Sequence, residues 1–215
     1  MASEKAALLA ASRRLRAARD RRGRRLPTLW LFTDDARTPD PSASLAALPA
    51  GVGVVLRGRA TRGQLPRGRA VAIAGLVRAG CGLHLSSALL ARPPLGWRRA
   101  RFLTAAVHSA PQAVRARRLG VAIGFVSPVF PTASHPGAPV LGRLRAMRIA
   151  RMLPSAGLLG GIAAARVRGL GVAAFGAIEA LVGTSHPHPV PLPEGEGTEH
   201  AARHTAPTPS GRGTG

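Results

Sequence analysis

The sequence predicts an α/β fold: a small (β/α)8 TIM-type barrel with shortened helices, flanked by a basic N-terminal helix and a disordered C-terminal tail. Three observations predict it. Short aliphatic runs recur through the middle of the chain, each followed by Gly, Pro or Arg-rich helical material. A length of 215 residues suits one ordinary domain, and both termini differ in composition from the middle. Apolar residues make up 46% but aromatics only 3%, with no Tyr, so a core of Ala, Val, Leu and Ile is expected, as in parallel strands covered by helices.

Residues 1–25 read as a basic helical arm, because arginines crowd from Arg13 to Arg25 and Pro27 ends the segment. The favoured reading is a solvated leader; an RNA-binding or membrane-surface arm is the alternative. The barrel spans residues 26–183. Its strands are expected at Thr28–Phe32, Val52–Leu56, Ala70–Ala74, Gly82–Leu85, Phe102–Val107, Val121–Val126, Gly157–Leu159 and Gly171–Phe175. So many strands in so short a span leave little room for crossover helices, least of all at Arg59–Gly68 with its Pro66. Residues 184–215, rich in Pro, Gly, Thr and His, hold too few large apolar side chains to offset ordering and read as disordered.

The formal net charge is +22, and of 31 basic residues only Lys5 is a lysine. A GC-rich genome yields such a bias toward Arg, Ala, Gly and Pro without selection for function. A basic surface with no dedicated polyanion partner is therefore expected, any nucleic-acid binding being nonspecific. The nine carboxylates leave a gap, since none lies between Asp40 and Glu179. Cys81 is the only cysteine, which excludes an intramolecular disulfide and a zinc cluster and makes the cytoplasm the default location. The longest charge-free stretch, Leu119–Gly142, carries Pro128, Pro131, Pro136 and Pro139, so no membrane span is expected. Oligomeric state is left open, a homo-oligomer included.

In such a barrel the working groups sit where strands end and the next loops begin. After the sixth predicted strand comes Ser127-Pro-Val-Phe-Pro-Thr-Ala-Ser-His-Pro-Gly137, an extended loop presenting Thr132, Ser134 and His135. Hydroxyls and backbone amides of this kind surround phosphates. Gly160 and Gly161 follow the seventh strand; Gly176 and Ala177 follow the eighth, ahead of a helix. Glycines there let N–H groups approach an anion, and a helix start adds its dipole. Other strand ends supply Arg57, Arg59, Ser87 and His108. His84, between Leu83 and Leu85, reads as a packing residue, as do Trp30 and Trp97. Gly51-Val-Gly53 opens a strand rather than following one, so no NAD or FAD is assigned.

Together these residues resemble thiamine phosphate synthase and its sister group, the TenI-like proteins, over about Thr28–Gly183. The most specific part is the 127–137 loop, which looks like the family's Gly-Pro-Val-Phe-x-Thr-x-Thr-Lys element. Gly-Leu-His-Leu at 82–85, Val-His-Ser at 107–109 and Gly-Gly-Ile at 160–162 follow in the family's order. The resemblance implies joining an aminopyrimidine pyrophosphate to a thiazole phosphate with release of pyrophosphate, or a TenI-like isomerisation or plain binding of a thiazole phosphate. It gives Arg57 and Arg59 the pyrophosphate, and Thr132, Ser134, Gly160, Gly161, Gly176 and Ala177 the thiazole phosphate. Arg57, His108 and His135 are the catalytic candidates, His135 standing where the family has a lysine, and Ser87 is a further phosphate contact.

Magnesium is expected from the family, yet its carboxylate ligands are not found. Ala74 and Gly75 stand where an Asn-Asp pair belongs, and Ser86, Ser87, Ala88 and Leu89 stand where an Asp is expected. Losing a metal at a leaving phosphate costs on the order of a thousandfold in rate or more, at about tenfold per 1.36 kcal/mol. Arg57, Arg59 and Arg62 offset that loss only as fixed charges.

Overall fold

Each aliphatic run becomes a strand where parallel neighbours bury it on both faces. The computed structural model describes residues 3–35, 41–57, 82–132 and 137–182. Its strands are β1 (Leu29–Phe32), β2 (Gly53–Val55), β3 (Leu83–Leu85), β4 (Leu103–Val107), β5 (Ile123–Val126), β6 (Ala156–Leu158) and β7 (Ala174–Ala177). Every residue of β1, β5, β6 and β7 is buried, as strands enclosed on two sides require.

The seven strands form one parallel sheet in the order β2-β1-β7-β6-β5-β4-β3. The first strand thus pairs with the last, Leu29 opposite Phe175 and Leu31 opposite Ala177, which curls the sheet into a nearly closed small (β/α) barrel. Its edges are β2 and β3, the two strands between which the sequence predicts Ala70–Ala74; that segment lies outside the described residues.

Helices α2 (Pro41–Ala46), α3 (Ser87–Ala91), α4 (Ala110–Arg118) and α5 (Gly142–Ala150) lie in the crossovers, and α6 (Glu179–Val182) follows β7. No helix links β6 to β7. In line with the expected shortening, α2, α3 and α6 have six, five and four residues.

The N-terminal segment departs from the expected solvated arm. Helix α1 (Glu4–Arg13), capped by the Ser3 side chain, packs against β1 and α6, with Leu8 fully buried. Its Glu4 carboxylate accepts from Ala164 N–H at 2.6 Å, in the helix-free β6–β7 connection. Beyond Arg14 the chain is not helical. Asp20, with a side chain 1% exposed, accepts from the backbone N–H groups of Arg22 and Arg24 and from Arg101 Nε at 3.1 Å. These bonds fold residues 19–25 into a turn closed by an Arg19–Arg25 bridge.

A second correction concerns the core. Aliphatics do fill the layer between strands and helices, but Trp30, Phe32, Phe102 and Phe125 occupy the barrel interior with edge-to-face contacts. Glycines make the room. A Cβ on Gly53 would stand 2.4 Å from the Trp30 ring, on Gly157 2.5 Å from Phe125, and on Gly176 2.7 Å from Phe32.

The last strand begins at Ala174 rather than Gly171. Pairing with β1 fixes its register, so Gly176 and Ala177 close the strand instead of following it. No described helix is long and apolar enough to cross a membrane.

Candidate functional site

At the C-terminal ends of β1 and β2, Arg57 is held at several points. Its N–H donates to Thr33 Oγ1 at 2.7 Å and its Nε to Thr33 O at 2.8 Å, while Nη2 stands 3.9 Å from Asp34 Oδ2. The guanidinium carbon lies 5.5 Å from the Phe32 ring centre. The side chain remains 39% exposed, so the cation is both fixed and open to solvent.

Below it, His84 on β3 packs edge-on to Phe32 and bonds Thr104 Oγ1 through Nδ1 at 2.9 Å. Burial, with the nearby Arg57 charge second, lowers its pKa from 6.5 to about 4. His84 is therefore a neutral residue of the barrel mouth at physiological pH, in accord with its reading as a packing residue.

Across β1 and β7 in the sheet order, a second group gathers at the ends of β4, β5 and β6. His108 Nδ1 lies 2.7 Å from Ser127 O and 3.3 Å from Ser127 Oγ, and the His108 backbone N–H donates to Gln112 Oε1 at 2.6 Å. A carbonyl only accepts, so Nδ1 carries hydrogen and Nε2 is the nitrogen left to exchange a proton.

The loop after β5, from Ser127, then runs alongside the Gly-Gly turn. Val129 N–H donates to Leu159 O and Phe130 N–H to Gly160 O, after a cis Ser127–Pro128 bond. Gly160 and Gly161 both have positive φ, +94° and +61°, and a Cβ on Gly161 would sit 2.4 Å from Pro131 O. Only glycine fits there. Among the described residues neither amide N–H of this pair has an acceptor. Arg166, which the sequence reading missed, donates from Nη1 to Gly161 O at 3.2 Å and lies over the Phe130 ring at 5.6 Å.

The other sequence candidates divide. Thr132 ends the described part of the loop, whereas Arg59, Ser134 and His135 lie outside the described residues. Ser87 opens α3, but it is Ser86 whose side chain caps that helix, accepting from Leu89 N–H at 3.4 Å. Thr33 and Ser127 were also missed as individual site residues: they position Arg57 and His108, and only pairing across the sheet reveals that.

The donor set does not fit a divalent cation. Asp34 faces Arg57, and among the described residues no three His, Cys, Asp or Glu side chains converge.

No family model and no curated protein matches the chain in sequence. In structure it is similar to a thiamine phosphate pyrophosphorylase from Pyrococcus furiosus, with 22% identity, 74% of this chain and 88% of that one covered, and a TM-score of 0.50. It also overlaps NadC from Streptococcus pyogenes, with 14% identity, 82% of this chain and 53% of that one covered, and a TM-score of 0.46. The second overlap is too loose to argue from. The first shows a shared fold, so the resemblance read from the strand-end motifs is matched by a solved barrel of the same architecture.

Proposed function

We propose that the barrel binds a thiazole phosphate at the C-terminal ends of its strands, in a thiamine phosphate synthase-like site whose pyrophosphate-handling half is weakened. The observation that carries this reading is the Gly160 and Gly161 pair, whose N–H groups have no acceptor among the described residues, set beside the loop after β5 with the Arg166 cation next to them. Amides without protein acceptors suit phosphate oxygens, and a nearby guanidinium strengthens the grip. Arg57, fixed across the mouth, is the group for a second anion such as pyrophosphate.

In the synthase reading, the carbon–oxygen bond to pyrophosphate breaks and a carbon–nitrogen bond forms to the thiazole. Among the described residues Arg57 is the cation for the departing charge, with no carboxylate between Asp40 and Glu179 in the sequence to bring a metal. The second reading, a TenI-like isomerisation, is favoured by His108: its Nδ1–H is tied to Ser127 O, so Nε2 is free to move a proton on a bound thiazole.

Thermal denaturation with thiazole phosphate, beside inorganic phosphate, tests the binding step. Ligand at about 100 times Kd adds about 2.7 kcal/mol to stability. The melting temperature is expected to rise, and Arg57→Ala to leave most of the thiazole phosphate effect intact. No rise at millimolar ligand refutes the proposal.

A further inference from the structure

We propose that the face built from the N-terminal ends of the strands is a docking surface for the phosphodiester backbone of double-stranded nucleic acid. Because all seven strands run parallel, the segments that enter them share one end of the barrel, opposite the candidate site. The segment entering β1 exposes Arg22, Arg24 and Arg25, and the one entering β4 exposes Arg98 and Arg99. Arg117 and Arg118 are exposed ahead of β5, Arg151 ahead of β6 and Arg168 ahead of β7. Arg57 and Arg166 lie at the other end, so the face is set apart by the number of its exposed arginines together with its scarcity of carboxylates.

The carboxylates divide the opposite way. Among the described residues, Asp34 and Asp35 follow β1, and Glu4 bonds into the loop after β6. Among the described residues, Asp20 is the one carboxylate at the arginine face, and Arg101 and two backbone N–H groups neutralise it. Asp20 thereby acts as the pin of the patch. It ties the 19–25 turn to Arg101, while Arg21 Nη1 donates to Arg98 O at 3.1 Å and Arg19 bonds Gly23 O.

Exposed arginines on a pinned backbone turn and on neighbouring segments, with few opposing charges, suit a polyanion. The nearest aromatic, Trp97, is already covered by Arg98 at 5.2 Å, so the face offers phosphate contacts rather than a platform for unstacked bases. That favours a duplex over a single strand.

The test is fluorescence anisotropy with a short random-sequence DNA duplex over a salt series. Three double variants of the full chain are compared, each losing the same charge: Arg24→Ala/Arg25→Ala; Arg117→Ala/Arg118→Ala on the same face; and Arg143→Ala/Arg145→Ala in the first half of α5, toward the other end of the barrel. The first two are expected to weaken binding about tenfold or more and to lower the salt slope by about 2, at about 0.9 per lost phosphate contact, while the α5 variant stays within about twofold of the parent. Circular dichroism melts confirm that each variant folds. Equal losses in all three, no duplex binding, or preference for a single strand or for anionic vesicles overturns the proposal.

Discussion

His84 gives the barrel mouth a measurable pH dependence. In the unfolded chain the imidazole takes a proton near pH 6.5; in the fold it resists until about pH 4, because burial and then the Arg57 charge oppose the cation. Between those values the unfolded state binds more protons, so stability falls as pH drops through this window and levels off below it. From pH 7 to pH 4.5 the shift corresponds to about 2.5 kcal/mol. Replacing His84 with Gln removes the titration and keeps a polar group toward Thr104 Oγ1, the partner at 2.9 Å. Urea unfolding at both pH values should show the parent losing about 2.5 kcal/mol more than His84→Gln. Parallel losses in the two proteins, or an NMR titration of His84 near pH 6.5, would refute the reasoning.

Asp20 titrates in a separate window. Burial works to raise its pKa, but hydrogen bonds from Arg24 N–H, Arg101 and Arg22 N–H outweigh it and hold the carboxyl below 3.8. Its stabilisation is therefore complete above that value and lost as pH falls through the lowered one. Asp20→Asn should melt lower than the parent at pH 7, with the difference narrowing in strong acid; a constant difference across pH would contradict the assigned pairing. Gly161→Ala meets both a left-handed backbone and the Pro131 carbonyl, costing about 1–2 kcal/mol for φ alone. It should also abolish the thermal shift with thiazole phosphate, and a variant that folds and binds normally would remove the Gly-Gly turn from the site.

How much the sequence discloses depends on contrast between neighbours. β4, Leu103–Val107, is legible because an aliphatic run is bounded by arginines before it and His108-Ser109 after it. β7 is not so clear, since Gly171 to Ile178 is a run of small and apolar residues without polar punctuation, and only its register against Leu29–Leu31 sets where it starts. The arginine run to Arg25 reads as helix by local composition, but Asp20 captures the backbone amides of Arg22 and Arg24 and turns the chain. Asp20 meets Arg101 across 81 positions, and Trp30 meets Gly53 across the β1–β2 pairing. Such contacts leave no periodic trace. The motifs singled out Arg57, His108 and the Gly-Gly turn, which the structure places beyond strand ends, whereas Arg166 was invisible because it reaches back to Gly161 through a connection without a helix.

That same connection bears on why binding is the stronger half of the proposed function. The β6–β7 crossover carries no helix, its Gly160 and Gly161 lie against the loop after β5, and α1 supports it through Glu4 and Ala164. The Arg57 side has a fixed cation over Phe32 but, among the described residues, no carboxylate set to bring a metal to a departing pyrophosphate. A fixed guanidinium stabilises a bound anion and its leaving form to similar degrees, so it tightens binding more than it speeds transfer. A cation that stays tied to Thr33 O cannot follow leaving oxygens, so the proposed function predicts ligands held longer than they are transformed.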